Sequence, residues 1–173
     1  MSRAGPARAL GALLAAWSAA AGAQGALGLV ERPPIEATIP DPMPAQPADG
    51  ALLEFYVSPA TTNRFSVDPS SLGVDDGRLV RFTLVVTSRS GARNVGYEAI
   101  RCDTGERRLL AVGRADGTWS ISKSTAWRPV NLGESVNRHM MELYVRVCDG
   151  GRSRVHSPQE FAARLRDTGR PTY

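Results

Sequence analysis

The stretch RLVRFTLVVTS, residues 78–88, alternates apolar and polar side chains along its length. Every second side chain of a strand lies on the same face, so this period of two is typical of a strand with one buried face. The apolar face contains Val80, Phe82, Leu84 and Val86, and the polar face contains Arg81, Thr83 and Thr87. One solvated face favours an antiparallel sheet, because parallel sheets are covered on both faces.

Further stretches rich in β-branched and aromatic residues flank this one and are separated by short turns, several of which contain glycine. They are LLEFYV (52–57), RFSV (64–67), NVGYEAIRC (94–102), RRLLAVGR (107–114) and TWSIS (118–122). Such spacing predicts an antiparallel meander of about five strands. Asp68 followed by Pro69 predicts a single helical turn after RFSV, with Asp68 as its cap.

The C-terminal third changes to helical periodicity. Apolar residues recur at spacings of three and four, which predicts a helix over about 134–148: Val136, Met140, Leu143, Tyr144 and Val147. The segment LYVRVC (143–148) has strand composition when taken alone, so a strand is the alternative there.

A second helix is indicated by a capping box, with Ser157 as N-cap, Pro158 in the first position and Glu160 in the third. Phe161 and Leu165 share its inner face, and Gly169 ends it. The predicted fold is therefore α+β, an antiparallel meander with two C-terminal helices on one face. A small β-sandwich or barrel is the alternative.

The N-terminus has the pattern of a secretory signal peptide over residues 1–23. Arg3 and Arg8 precede an apolar run over 9–21, and Ala21-Gly22-Ala23 offers a small-x-small cleavage site. We expect cleavage after Ala23, a periplasmic or secreted location, and no transmembrane segment afterwards.

Residues 24–50 contain half of the twelve prolines and predict a proline-rich flexible linker. A single domain over residues 51–168 and a short tail over 169–173 complete the predicted organisation.

The charge pattern is that of a mixed, solvated surface. The net charge is +4, but the arginines are interspersed with acids and the single lysine is Lys123. A nucleic-acid partner is therefore not expected, although a basic protein can attract anions.

Signatures of catalysis and metal binding are sparse in this chain. His139 and His156 have no ligand-like spacing to the cysteines, so no metal, no cofactor and no catalytic residue is assigned. The alternative is a small hydrolase or transferase that uses Glu98, Asp103 or Asp116 on an anionic substrate. A working acid–base pair requires environments that push two pKa values apart.

A possible binding surface consists of Tyr97, Glu98, Arg101, Trp119 and Trp127. Tryptophan combines a large apolar area with an N–H donor, which suits both ligand stacking and the edge of a small core. We favour a non-catalytic module that binds an unknown envelope protein, peptide or cell-wall component. A structural role in envelope integrity is a further hypothesis.

The two cysteines, Cys102 and Cys148, predict a structural disulfide. An even cysteine count in an exported chain is the condition under which bridges form and persist. Free buried thiols and a catalytic thiol are the alternatives, but a C-x-x-C pair is absent and no histidine lies near Cys102 in sequence.

Three segments of the chain resemble the CNP1-like family, whose members are exported proteobacterial proteins without an established activity. The segments are FYVSPATTNRFSVDPSSLGV, VRFTLVV and GARNVGYEAIRCDTGERRLLAVGRADGTWS, and the resemblance covers residues 51–166. Its centre is Tyr97-Glu98 with Arg101-Cys102, followed by Asp116-Gly117-x-Trp119. The resemblance implies the domain limits and export, and it implies no catalytic residues.

Overall fold

The computed structural model describes Met1, residues 32–131 and residues 137–167. The chain divides into two units, Met1–Arg32 and Pro33–Tyr173, and the described strands and helices all belong to the second unit. The predicted signal peptide after Met1, Val136, Gly169 and the predicted tail lie outside the described residues.

Seven antiparallel strands form one open sheet within the described residues. They are β1 (Leu53–Phe55), β2 (Arg64–Asp75), β3 (Leu79–Thr87), β4 (Arg93–Arg101), β5 (Glu106–Gly113), β6 (Trp119–Ile121) and β7 (Arg128–Pro129). Strands β1 to β6 are neighbours in chain order, and β7 pairs with β5. Consecutive strands joined by short turns give the predicted meander, with more strands than the predicted five.

The alternation in β3 separates two apolar clusters on opposite faces of the sheet. Val80, Phe82 and Leu84 contribute to the larger cluster, as their shared face predicts, while Leu79 belongs to the smaller one on the other face. The smaller cluster continues on β4 and β5 with Tyr97, Ala99, Leu110 and Ala111. Both faces of the sheet are therefore covered.

Two helices pack on the face with the larger cluster. They are α1 (Arg138–Val147) and α2 (Pro158–Arg166). Met140, Leu143 and Val147 of α1 and Phe161 and Leu165 of α2 are buried in that cluster. The α+β prediction with both helices on one face is confirmed, and the open sheet corresponds to neither the sandwich nor the barrel. In the described ranges, neither helix has the length and apolarity needed to cross a membrane.

The segment around Cys148 is helical up to Val147, so the helix prediction is confirmed over the described part. Cys148 then begins a two-residue strand, β8 (Cys148–Asp149), which pairs with β9 (Arg152–Ser153). The strand composition of LYVRVC did not decide the structure because Leu143 and Val147 lie one helical turn apart and are both buried by the sheet.

The predicted helical turn at Asp68 is wrong. Strand β2 runs through this point, with a register shift against β3 between Asp68 and Gly73. One oxygen of the Asp68 carboxylate accepts hydrogen bonds from the backbone and side chain of Ser70, at 2.9 and 2.6 Å. Asp68 thus satisfies local donors in an irregular strand, as Asx residues do in turns.

A disulfide joins Cys102 and Cys148, as predicted, with 5.2 Å between the two Cα atoms. Cys102 follows β4 directly and Cys148 follows α1 directly. Tyr144 on α1 donates a hydrogen bond from its hydroxyl to the carbonyl of Cys102, at 3.1 Å. The bridge therefore fastens the end of α1 to the end of a central strand.

Replacing Ser157 by alanine is expected to lower the free energy of unfolding by about 1 kcal/mol. The Ser157 hydroxyl accepts a hydrogen bond from the backbone N–H of Glu160 at 3.2 Å, and the Glu160 carboxylate accepts one from the N–H of His156 at 2.7 Å. Urea denaturation measures the change. Gln159→Ala is the matched control in the same exposed turn, and an equal effect of both substitutions would contradict a capping role.

Candidate functional site

The face of the sheet opposite the helices is covered by residues 33–47, which we call the strap. Its composition predicts a flexible linker, but the structure differs: residues 33–47 lie extended against the sheet. The apolar side chains Ile35, Ala37, Ile39 and Met43 pack on the smaller core cluster. Between 35 and 39 half-buried and exposed residues alternate, which is the period of an extended chain with one covered face.

The sheet holds the strap mainly by its backbone carbonyl groups. Three arginines and one tryptophan of the sheet donate to four of these carbonyls at 2.7–3.3 Å: Arg78 to Pro33, Arg101 to Ile35, Arg81 to Thr38 and Trp119 to Pro44. Proline has a carbonyl acceptor but no N–H donor. A surface that offers donors therefore matches a chain that is rich in proline.

One side chain of the strap, Glu36, adds a charged contact to these backbone contacts. Its carboxylate forms an ion pair with Arg101 and accepts a hydrogen bond from the indole N–H of Trp127 at 3.2 Å. Arg108 lies 3.6 Å away on the same side. The Trp127 hydrogen bond, followed by Arg101 and Arg108, lowers the pKa of Glu36, so this carboxylate is charged at neutral pH.

The indole of Trp127 also supports the guanidinium of Arg101. The guanidinium carbon lies 3.8 Å from the ring centroid, within the range of a cation–π interaction. Arg101 donates in addition to Glu106 at 3.1 Å. The Arg101 side chain is 5% exposed, so its orientation is fixed by contacts on several sides.

At the other end of the strap, Gln46 reaches the turn between β5 and β6. Its amide donates to the carbonyl groups of Arg114 and Thr118 at 3.2 and 2.7 Å. A Cβ atom on Gly113 would lie 2.8 Å from the end of the Gln46 side chain, which would then have to move from this position. Nearby, the rings of Tyr97 and Trp119 meet edge to face at 6.1 Å.

Four of the five residues of the predicted binding surface thus lie on one face: Tyr97, Arg101, Trp119 and Trp127. Glu98 lies on the opposite face, because it pairs directly with Phe82 in β3. It is buried and one of its oxygens, Oε2, has no hydrogen-bond partner in the structure. Burial raises the pKa of Glu98, and the charge of Arg107 opposes this effect.

The structure does not bring Glu98, Asp103 and Asp116 together. Asp103 precedes β5 and forms an ion pair with Arg78 at 2.7 Å. Asp116 follows β5 in an exposed turn, where hydrogen bonds from Thr118 lower its pKa. Eight strand residues span about 26 Å, so Asp103 and Asp116 lie at opposite ends of the sheet. The three carboxylates cannot act on one substrate group.

A second feature is an open groove of about 560 Å³ between the loop after β1 and the start of α1. His139 lies in its wall and stacks on Phe65, with 4.8 Å between ring centroids. Burial, assisted by the positive charge of Arg107, lowers the pKa of His139 to about 4. His139 lies on α1, and the sequence did not predict its stacking on Phe65.

Sequence reasoning missed the strap residues and their partners Arg78, Arg81 and Arg108, which were interpreted as solvated charges. The signal that could have found them was the alternation of Ile35, Ala37 and Ile39 within a proline-rich segment. Proline content dominates a composition-based interpretation, whereas a period of two over five residues is short and easily passed over.

Fold and site together define a small disulfide-bonded α+β domain whose free sheet face is closed by its own N-terminal segment. The model of the CNP1-like family matches residues 34–166, and the chain belongs to this family. The match takes in residues 34–47 of the strap together with most of the predicted domain. No curated protein and no solved structure matches the chain.

Proposed function

We propose that this chain is an exported, non-catalytic module that binds an extended, proline-containing polypeptide on the sheet face beneath the strap. The observation that carries the proposal is the way this face contacts residues 33–47. Arg78, Arg81, Arg101 and Trp119 donate to backbone carbonyls, which every polypeptide possesses. The strap therefore covers the same surface on which the extended segment of a partner would bind.

The specificity of such a face would come from its contact with one carboxylate and from the apolar contacts on either side of that carboxylate. Arg101 and Trp127 hold one carboxylate, that of Glu36, and the flanking positions 35 and 37 are apolar contacts. A preferred ligand therefore has an acidic residue between two apolar residues and prolines nearby. Recognition of extended proline-rich chains by aromatic grooves follows the same physics, because such chains lose little entropy on binding.

Export is supported by the signal-peptide pattern of residues 1–23 and by the disulfide. Disulfides persist in oxidising compartments such as the bacterial periplasm. A periplasmic or secreted module would encounter envelope proteins and peptides, which is the class of partner that we propose.

The test measures whether the face binds the strap sequence when it is supplied as a separate peptide. A fluorescently labelled peptide of residues 33–47 is titrated against the parent protein and against an Ile35→Asp, Ile39→Asp variant, which weakens the intramolecular strap. The parent should bind at least about tenfold more weakly, because its own strap competes at an effective concentration near the millimolar range. Fluorescence anisotropy gives both affinities.

Trp119→Phe, introduced into the weakened variant, tests the contribution of one donor of the sheet. It removes the indole donor to Pro44 but keeps an aromatic ring, and peptide affinity should fall several-fold. A milder variant, Glu36→Ala with Gln46→Ala, replaces the first one if circular dichroism shows that the aspartates unfold the domain. A folded, weakened protein that does not bind the peptide would contradict the proposal.

A further inference from the structure

A small cavity opens at the outer edge of β5, beside the proposed polypeptide site, with which it shares only Arg108. Strand β6 pairs with residues 111–113 of β5 and β7 pairs with residues 106–107, so the edge between them is bridged by the loop over 122–127. The cavity has a volume of about 260 Å³ and is lined by Arg107, Arg108, Leu109, Ser122, Ser124, Ala126 and Arg128.

Two arginines of this cavity oppose each other directly. Arg107 and Arg128 are partners in the register of β5 and β7, so their side chains share one face of the sheet. Like charges in directly opposed positions are destabilising. Among residues 32–131 and 137–167, neither side chain forms a salt bridge or hydrogen bond with an acid; Arg107 interacts with the buried Glu98 only through its charge. Within the described ranges, this pair of cations therefore has no direct counter-charge.

Two serines supply further donors. Arg108 does not join the pair of arginines, because it follows Arg107 directly in β5 and lies on the opposite face, where its Nη1 is 3.6 Å from Glu36. The hydroxyl of Ser122 accepts from the N–H of Ser124, and the hydroxyl of Ser124 accepts from the N–H of Ala126, at 3.3 and 3.4 Å. Each hydroxyl oxygen is thus used as an acceptor, which leaves its proton available for a ligand.

We propose that this cavity binds a phosphate group, either as inorganic phosphate or at the end of a phosphomonoester. Guanidinium groups form their strongest hydrogen bonds with phosphate and carboxylate oxygens. A tetrahedral dianion offers more acceptors and more charge than a carboxylate to two arginines and two hydroxyls. The volume also leaves room for part of the group that carries the phosphate. The site does not depend on the polypeptide-binding proposal.

The experiment titrates inorganic phosphate into the full chain by isothermal titration calorimetry at low ionic strength, with acetate in a parallel titration. Saturable phosphate binding is expected, with acetate weaker. Arg107→Gln and Arg128→Gln should each weaken phosphate binding by about tenfold or more, because a charge-assisted hydrogen bond is lost. Arg89→Gln, an exposed arginine in the β3–β4 turn, makes the same charge change elsewhere and should have little effect.

Two further ligands distinguish the sources of the phosphate group. Glucose 6-phosphate represents a soluble phosphomonoester, and phosphatidylcholine vesicles containing phosphatidic acid represent a lipid headgroup. If the vesicles bind and binding requires Arg107 and Arg128, the ligand is a lipid headgroup. If the soluble ligands bind and the vesicles do not, the ligand is a small phosphate compound. Absence of binding to all three phosphate ligands would overturn the proposal, as would binding that both glutamine variants retain.

A stability measurement provides a second readout that a purely structural role would not reproduce. Without phosphate, Arg128→Gln should melt at a higher temperature than the parent, because the repulsion with Arg107 is removed. At a phosphate concentration that saturates the parent, the order should reverse, because only the parent gains binding energy. The same order of melting temperatures in both buffers would overturn the site.

Discussion

Replacing both cysteines, Cys102→Ser with Cys148→Ser, is expected to lower the free energy of unfolding by about 4 kcal/mol. The bridge joins residues 46 positions apart, and in the chain-entropy model a loop of this length restricts the unfolded chain by about that amount. The loss is a large share of the 5–15 kcal/mol, roughly, that stabilises a typical domain. Guanidinium denaturation of the oxidised parent and the double variant measures it.

The loop-closure explanation can be separated from local packing. The parent treated with a reductant should approach the stability of the double serine variant, because both lack the cross-link while only one lacks the sulfur atoms. The hydrogen bond from Tyr144 to the backbone carbonyl of Cys102 uses no sulfur atom, so we expect both forms to keep it. Equal stability of the oxidised parent and the double variant would show that the bridge does not constrain the unfolded chain.

The second large effect is a loss of stability in acid that depends on His139. The pKa of this histidine is lowered from 6.5 to about 4 in the folded chain, first by burial and then by Arg107. The unfolded chain therefore binds a proton that the folded chain excludes. Above pH 6.5 the histidine is neutral in both states and costs no stability. As the pH falls from 6.5 to 4, its protonation in the unfolded chain lowers the free energy of unfolding by about 3 kcal/mol.

The measurement compares the parent with His139→Phe across this pH range. Phenylalanine can keep the stack on Phe65, which has 4.8 Å between ring centroids in the parent, but it does not titrate. Carboxylates affect both proteins alike, so the difference between their unfolding free energies isolates the histidine. The parent should lose about 3 kcal/mol relative to the variant between about pH 7.5 and pH 4. Parallel pH profiles would rule out a buried neutral imidazole.

The elements that the sequence predicts well are those with a local signature. Strand β3 needs only its own alternation to separate two faces, and α2 begins where Ser157, Pro158 and Glu160 indicate. Strand β7 has two residues and exists because β5 provides a partner, so its own sequence contains no strand pattern. The prediction of a helical turn at Asp68 is wrong for a related reason. Pairing with β3 keeps the chain extended where a local cap would favour a turn.

The candidate site was only partly predictable for physical reasons. Residue chemistry alone selected Trp119 and Trp127, since large aromatics with a polar N–H suit a contact surface. Their assembly with Arg101 on one face depends on strand register, which alternation approximates. The strap was not predictable from its prolines, because its position depends on contacts with residues up to 91 positions away.

The position of the strap in the sequence also limits when its contacts with the sheet can form during synthesis. Residues 33–47 are made before every strand that they contact, and the indole that holds Glu36 belongs to residue 127. The first part of the domain to emerge therefore cannot complete its contacts until Trp127 has been made. Contacts so distant in sequence slow folding, because a long loop must close first. Until the strap is in place, the sheet face that contains Tyr97 and Trp119 lacks its cover.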